Sequence, residues 1–401
     1  MGRLAAMILA ALLAAAPAMA QAPLIVISID GFRANFLDRA RTPSLWALAQ
    51  DGVRAAAMRP SFPTQTFPNH YTLSTGLRPD RHGLIGNMME DRAVSPDKFT
   101  KTSNSFADPR WWDGATPLWV TAGRAGVRTA SYGWPGTDAL IGGGRFTYAD
   151  AWRRDHTPAE AAAVALNWMD LPPRWRPAIQ FLYLDTVDEA GHAFGPDAPQ
   201  THAALREVDG AIGALVAGLK RRGLYAASNI VVVSDHGLAA IADARTMLLD
   251  TLVDPADINL VYHGPVAALD PRPGREAAVE KALLGRHPHA TCWRKGEIPA
   301  RLQYGTHRRV PAIVCAADTG WLIVTAAIKA GWTRENRGDH GYDPDHPDMA
   351  ALFLARGPAF RRGAVLPAFD NVDIYPLLAH LGGLTPQKND GTLATFKNAL
   401  K

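Results

Sequence analysis

The sequence predicts an α/β protein with a mostly parallel central sheet and helices on both faces. Three observations carry that expectation. Continuous apolar, β-branched runs recur at Leu24–Ile29, 178–184, 230–233 and 350–355, the pattern of strands buried on both faces. Helical patterns separate them, clearest over 201–221, where apolar residues return every three or four positions. Acidic residues stand directly after three of the runs, where open α/β sheets gather ligands.

Along the chain, Met1-Gly-Arg3, an apolar run over 4–15 and Ala18-Met19-Ala20 form a secretory signal peptide at 1–20. An uncleaved anchor is the rival reading, but the apolar run is short for a membrane span. The protein is therefore expected to be exported, periplasmic or secreted, with no membrane span. The catalytic domain is expected to occupy 21–401. After the first strand, Thr42 reads as the cap of a helix over Pro43–Gln50, with proline at its first position. From about 238 to 337 the pattern turns irregular and proline-rich, and reads as an insertion or cap on the α/β core.

The formal net charge is +4, and the basic residues are scattered rather than clustered. That bias helps an anionic small molecule approach but lacks the concentrated patch of a stable nucleic-acid complex. The two cysteines, Cys292 and Cys315, suggest a disulfide in an oxidising compartment, against two buried free thiols. No CxxC spacing supports a cysteine-ligated metal.

Asp30 follows LIVISI, Asp185 and Asp188 follow AIQFLYL, and Asp235-His236 follows NIVVVS. One aspartate after a strand is commonly a turn former or helix cap; three such placements, two with histidine nearby, point to a site. Asp188 and His192 are four residues apart and share a face on a helical turn. His340 sits in Gly338-Asp339-His340-Gly341. Three carboxylates and three imidazoles suit zinc, manganese or iron better than calcium or magnesium. Thr66 precedes Phe67-Pro68-Asn69, where a helix is expected to begin. It reads either as a helix cap or as a hydroxyl facing the positive helix end and its N–H groups.

ISIDGFR, FPTQTFPNHYTLSTGLRPDRHGLIGN, DEAGH, VVSDHG and GDHGYDP, in this order, resemble the nucleotide pyrophosphatase/phosphodiesterase family of the alkaline phosphatase superfamily, bacterial type. CWRK, RLQYG and VPAIVC in the irregular segment extend the resemblance. It implies an alkaline phosphatase-like fold and two zinc ions per chain. One would be held by Asp30, Thr66, Asp235 and His236, the other by Asp188, His192 and His340. It makes Thr66 the nucleophile of a phosphothreonine intermediate and Asn87 a donor to a phosphate oxygen. It places Phe67, with Trp152 or alternatively Tyr148, around a nucleobase; a tyrosine is usual where Trp152 falls. Asp185 is left as a structural carboxylate. The implied reaction is hydrolysis of nucleotide phosphodiester and pyrophosphate bonds, releasing nucleoside monophosphates. A choline- or lipid-headgroup phosphodiesterase, or a phosphomonoesterase, is the alternative on the same scaffold.

Overall fold

The computed structural model describes residues 22–100, 104–332 and 336–401; the leader read at 1–20 lies outside them. Eight strands form one sheet in the order Ala364–Leu366, Val53–Ala55, Phe353–Arg356, Asn229–Val233, Leu24–Ile29, Ile179–Leu184, Thr129–Tyr132 and Tyr148–Asp150. Phe353–Arg356 is antiparallel to both neighbours, and every other pairing is parallel.

All six residues of Leu24–Ile29 are buried because both faces of the sheet are covered. Val26 points into one core with Phe181 and Val231, under the helices Thr66–Thr75, Leu118–Arg124 and Ile374–Leu381. Its neighbours Ile25 and Ile27 point into the opposite core with Ile230 and Val232, under Pro43–Gln50, Pro158–Asp170 and Pro199–Arg221. Successive strand side chains alternate between faces, so a continuous apolar run fills two cores at once. Each such aliphatic side chain contributes about 1.5–3 kcal/mol on full burial.

The expected helix Pro43–Gln50 forms, but Thr42 does not cap it with its side chain. The Thr42 hydroxyl is turned back to accept from Asp38 N–H at 3.0 Å. The first-turn N–H groups of Ser44 and Leu45 instead donate to Asp209, at 3.0 and 2.8 Å. A carboxylate borrowed from the long helix Pro199–Arg221 thus satisfies the helix end and complements its dipole.

Within 238–337 the chain builds a five-stranded antiparallel sheet, ordered Ile258–Tyr262, Val266–Pro271, Ile313–Ala317, Ala290–Arg294 and Gly285–His287. It has its own core around Leu269, Val279, Leu283 and Ile313. Cys292 and Cys315 face each other across two of its strands and are joined by a disulfide, with Cα atoms 4.0 Å apart. Ala239 and Ala240 pair antiparallel with Asp339 and Gly338. The segment therefore leaves and rejoins the core at one point, which brings Asp235-His236 beside His340. Among the described residues no helix is long and apolar enough to cross a membrane.

Candidate active site

The first half of the site follows from register. Leu24–Ile29 pairs in parallel with Ile179–Leu184 on one side, Ile29 opposite Leu184. On the other side Ser28 lies opposite Val233. Carried on through these ladders, Asp30, Asp185 and the Ser234-Asp235 corner emerge side by side at the carboxyl ends of three adjacent strands. The Asp30 N–H still donates to Leu184 O at 2.9 Å. Asp188 comes over this edge from the first turn of helix Thr186–Phe194. Gly31 makes that approach possible: it has a φ of +68°, and a Cβ there would meet Asp188 Oδ1 at 3.0 Å.

The second half comes from two loops. Thr66 opens helix Thr66–Thr75 after Gln65, and its Oγ1 lies 3.3 Å from His236 Nε2. The segment carrying His340 rejoins the core next to His192, and a Cβ on Gly338 would come within 2.4 Å of Gly191 O. Here too only glycine fits.

Among the described residues three groups of ligand atoms result, each gathered within 4.8 Å: Asp30, Asp235 and His236; Asp188, His236 and His340; and His192, Asp339 and His340. The first holds three of the four residues that the resemblance assigns to one ion, Thr66 being the fourth. Asp188, His192 and His340 are joined through pairs. His192 Nε2 lies 3.3 Å from Asp188 Oδ2, and His340 Nε2 lies 3.8 Å from Asp188 Oδ1. The His236 and His340 rings stack with centroids 3.6 Å apart.

The hydrogen bonds fix what these imidazoles offer. Nδ1 of His236, His340 and His192 lies 2.9, 2.9 and 2.7 Å from the carbonyl oxygens of Gly237, Thr64 and Gly338. A carbonyl only accepts, so each Nδ1 carries the proton and a neutral ring turns its Nε2 lone pair into the site. Yet His236 Nε2 is 3.0 Å from Asp235 Oδ2 and 3.3 Å from Asp30 Oδ1, which are also acceptors. Moreover, Asp30 Oδ1, Asp188 Oδ1 and Asp235 Oδ2 are buried without a hydrogen-bond partner. Acceptors packed on acceptors in a buried space require positive charge between them. The set of mixed oxygen and nitrogen donors fits divalent cations of the zinc type.

Electrostatics agree. Burial, then the charges of Asp235 and Asp188, push the Asp30 carboxyl well above its usual range, although a hydrogen bond from the Tyr183 hydroxyl partly opposes them. Burial also opposes ionisation of Asp235 and Asp188, but there imidazoles prevail. Without a cation, that role falls to rings protonated at both nitrogens: His236 and then His70 hold Asp235 down, and His192 followed by His340 hold Asp188 down. Bound cations would remove the conflict at Asp30.

Asn87 is locked to the segment around Thr66. Its Oδ1 accepts from Phe67 N–H at 2.9 Å, and its own N–H donates to Gln65 Oε1 at 2.9 Å. That leaves the Nδ2 protons of Asn87 to donate. It also corrects the expectation of free N–H groups at this helix start, since Phe67 N–H is occupied and Pro68 has none. Phe67 is half-buried against Phe99, Phe106 and Trp112, with centroids at 5.3, 6.4 and 6.1 Å. Trp152 is 40% exposed, and its Nε1–H donates to Asp185 Oδ2 at 2.7 Å. The Tyr148 hydroxyl donates instead to Trp175 O at 2.8 Å. Trp175 precedes Ile179–Leu184, so Tyr148 is directed toward the other end of the sheet and away from the carboxylates.

Four residues escaped the sequence reading. His70 spans the base of the site, with Nδ1 at 2.9 Å from Thr66 O and 3.4 Å from Asp235 Oδ2, while Ser28 Oγ lies 2.9 Å from its Nε2. Its signal was available: it stands four positions after Thr66 in a helical stretch. Gln65 fixes Asn87, and Tyr183 binds Asp30. Asp339 joins His192 and His340; its place beside His340 hinted at this.

A parallel-strand edge carrying buried carboxylates, inward imidazoles and a hydroxyl at a helix start defines an α/β protein with a candidate metal-dependent hydrolytic centre. Residues 24–343 match the family model described as type I phosphodiesterase / nucleotide pyrophosphatase, and the chain belongs to that family. It is 38% identical to an uncharacterized pyrophosphatase/phosphodiesterase of Schizosaccharomyces pombe, covering 93% of this chain and 79% of that one. It is 35% identical to the bis(5'-adenosyl)-triphosphatase enpp4 of Xenopus laevis, covering 93% and 80%. The structure of murine ectonucleotide pyrophosphatase / phosphodiesterase 5 superposes with a TM-score of 0.89 at 34% identity, over 94% of this chain and all of that one. The same mouse protein, in an inactive threonine-to-alanine form in complex with AMP, superposes equally well. These likenesses bear out the expected alkaline phosphatase-like α/β fold.

Proposed function

We propose that the protein is a zinc-dependent nucleotide pyrophosphatase/phosphodiesterase that releases nucleoside monophosphates through a covalent ester on Thr66. The observation that carries this is the Thr66 hydroxyl standing 3.3 Å from His236 Nε2, at the edge of carboxylates that each keep one buried oxygen without a hydrogen bond among the described residues. The relatives' names and the inactive threonine variant with AMP support the same reading.

Asp30, Thr66, Asp235 and His236 would hold one zinc, and Asp188, His192 and His340 the other. Two zinc ions would offset the phosphate charge and lower the pKa of the Thr66 hydroxyl. Thr66 Oγ1 attacks phosphorus, forming an O–P bond as the bond to the leaving oxygen breaks. Water then cleaves the threonine ester, releasing the monophosphate and restoring Thr66. The Asn87 Nδ2 group donates to a non-bridging phosphate oxygen as charge builds there. His70 holds the Thr66 carbonyl and Asp235 in one frame. Phe67 offers its ring to the base, with Trp152 at the rim. An exported location is supported by the Cys292–Cys315 bridge.

A panel of a nucleoside-5'-monophosphate aryl ester, an aryl phosphate monoester and a choline phosphate aryl ester tests the substrate class with zinc-loaded protein. The nucleotide ester should show the highest kcat/KM. A higher value for the monoester or the choline ester would replace this reading.

A further inference from the structure

Asp185 is the strand-end aspartate that none of the three ligand groups takes up. It occupies the N-cap position of helix Thr186–Phe194, but its side chain makes no capping hydrogen bond. The usual reason for an aspartate at a strand-to-helix turn is therefore missing. Its Oδ2 instead accepts the Trp152 Nε1–H at 2.7 Å.

Trp152 is 40% exposed and follows the edge strand Tyr148–Asp150. An indole in such a place is free to turn unless something holds it. One hydrogen bond holds this one, and its pyrrole edge lies close over backbone. Nε1 is bonded to Asp185, and the neighbouring Cδ1 lies over Gly133, where an added Cβ would come within 3.7 Å of it. Gly133 has a φ of +68° and its N–H donates to Asp150 O at 2.8 Å, so the glycine is itself fixed between the two edge strands. The rest of the residue is open enough to leave it 40% exposed. Because Asp185 begins the helix carrying Asp188 and His192, the indole is held in a set relation to the proposed metal ligands.

We infer that Asp185 is a positioning residue that holds the Trp152 ring as a preformed wall for a nucleobase. The inference rests on the nucleotide reading above and adds its specificity device. The hydrogen bond removes rotamer freedom that binding would otherwise have to remove.

The test compares Asp185→Ala, Asp185→Asn, Trp152→Phe, Trp152→Ala and the Asp185→Ala/Trp152→Phe double variant, all zinc-loaded. KM is measured for a nucleoside-5'-monophosphate aryl ester and for bis-aryl phosphate, which has no base. Asp185→Ala and Trp152→Phe should each raise the ratio of the two KM values about three- to tenfold, the weight of one net hydrogen bond. The double variant should be no worse than either single one, because both remove the same interaction. Asp185→Asn, which keeps a carbonyl acceptor, should restore most of the ratio. If Trp152→Ala raises the ratio while Asp185→Ala leaves it at the wild-type value, the positioning role is overturned and base stacking stands. If Asp185→Ala lowers kcat and raises KM equally for both esters, its role is structural and the inference is also overturned. If Trp152→Ala leaves the ratio unchanged, base stacking at this residue falls, and the inference with it.

Discussion

Thr66 Oγ1 and His236 Nε2 lie 3.3 Å apart across 170 residues of sequence. Thr66 is placed by the helix it opens and by the Asn87 and His70 bonds around it. His236 is placed by the end of strand Asn229–Val233 and by its Nδ1 bond to Gly237 O. Thr66→Ala removes the oxygen proposed to attack and one contact while leaving this frame in place. It should retain metal content and melting temperature, and lose at least about three orders of magnitude in kcat. Steady-state kinetics beside metal analysis of the same sample checks both halves.

The unpartnered buried oxygens of Asp30, Asp188 and Asp235 predict coupling between metal and stability. Inductively coupled plasma mass spectrometry should find about two zinc per chain. Chelation should abolish turnover and lower the melting temperature at neutral pH, because three carboxylates are then left facing one another. Zinc should restore both. A chelated protein with wild-type turnover would remove the metal site from the account.

Phe67 rests edge-on against Phe99 and Trp112 and is only partly buried. Phe67→Ala should destabilise the fold by about 2 kcal/mol, below the full-core value because the ring is half-buried. It should also raise KM for a nucleotide ester more than for bis-aryl phosphate. Equal changes for both esters would assign Phe67 to packing alone.

His82 gives a pH dependence away from the carboxylates. It ends the short helix Pro79–His82, accepts from Leu84 N–H at 3.2 Å, and lies 3.1 Å from Pro68 O. Burial pushes its pKa down to about 3, against about 6.5 in an unfolded chain. Between these values the unfolded state binds the extra proton, so stability from this group is complete above pH ~6.5 and declines as pH falls toward about 3. Chemical denaturation across that window should show His82→Gln with a shallower slope than wild type, by up to about 1.4 kcal/mol per pH unit. Parallel slopes would mean that His82 accepts a proton in the folded state.

The parts of the fold that could be read beforehand are those written in consecutive residues. Leu24–Ile29 and its two parallel neighbours show as apolar runs, and the aspartates that end them mark the ligand edge. The reversed direction of Phe353–Arg356 was not legible, because a strand buried on both faces shows the same composition whichever way it runs. The Asp209 cap on helix Pro43–Gln50 and the Tyr183 bond to Asp30 join residues more than 150 positions apart, and nothing local records them. Trp152 and Tyr148 could not be separated by spacing. Only the hydrogen bonds to Asp185 and to Trp175 O divide them.

The central claim is that Thr66 becomes covalently bonded to the substrate phosphorus. Zinc-loaded protein mixed with a nucleoside-5'-monophosphate aryl ester, quenched in acid within the first turnover and digested, should yield a peptide containing Thr66 that carries one nucleoside monophosphate. The adduct should be absent from Thr66→Ala and should decay in step with monophosphate release. Turnover at the wild-type rate with an unmodified Thr66 peptide at every quench time would contradict the account.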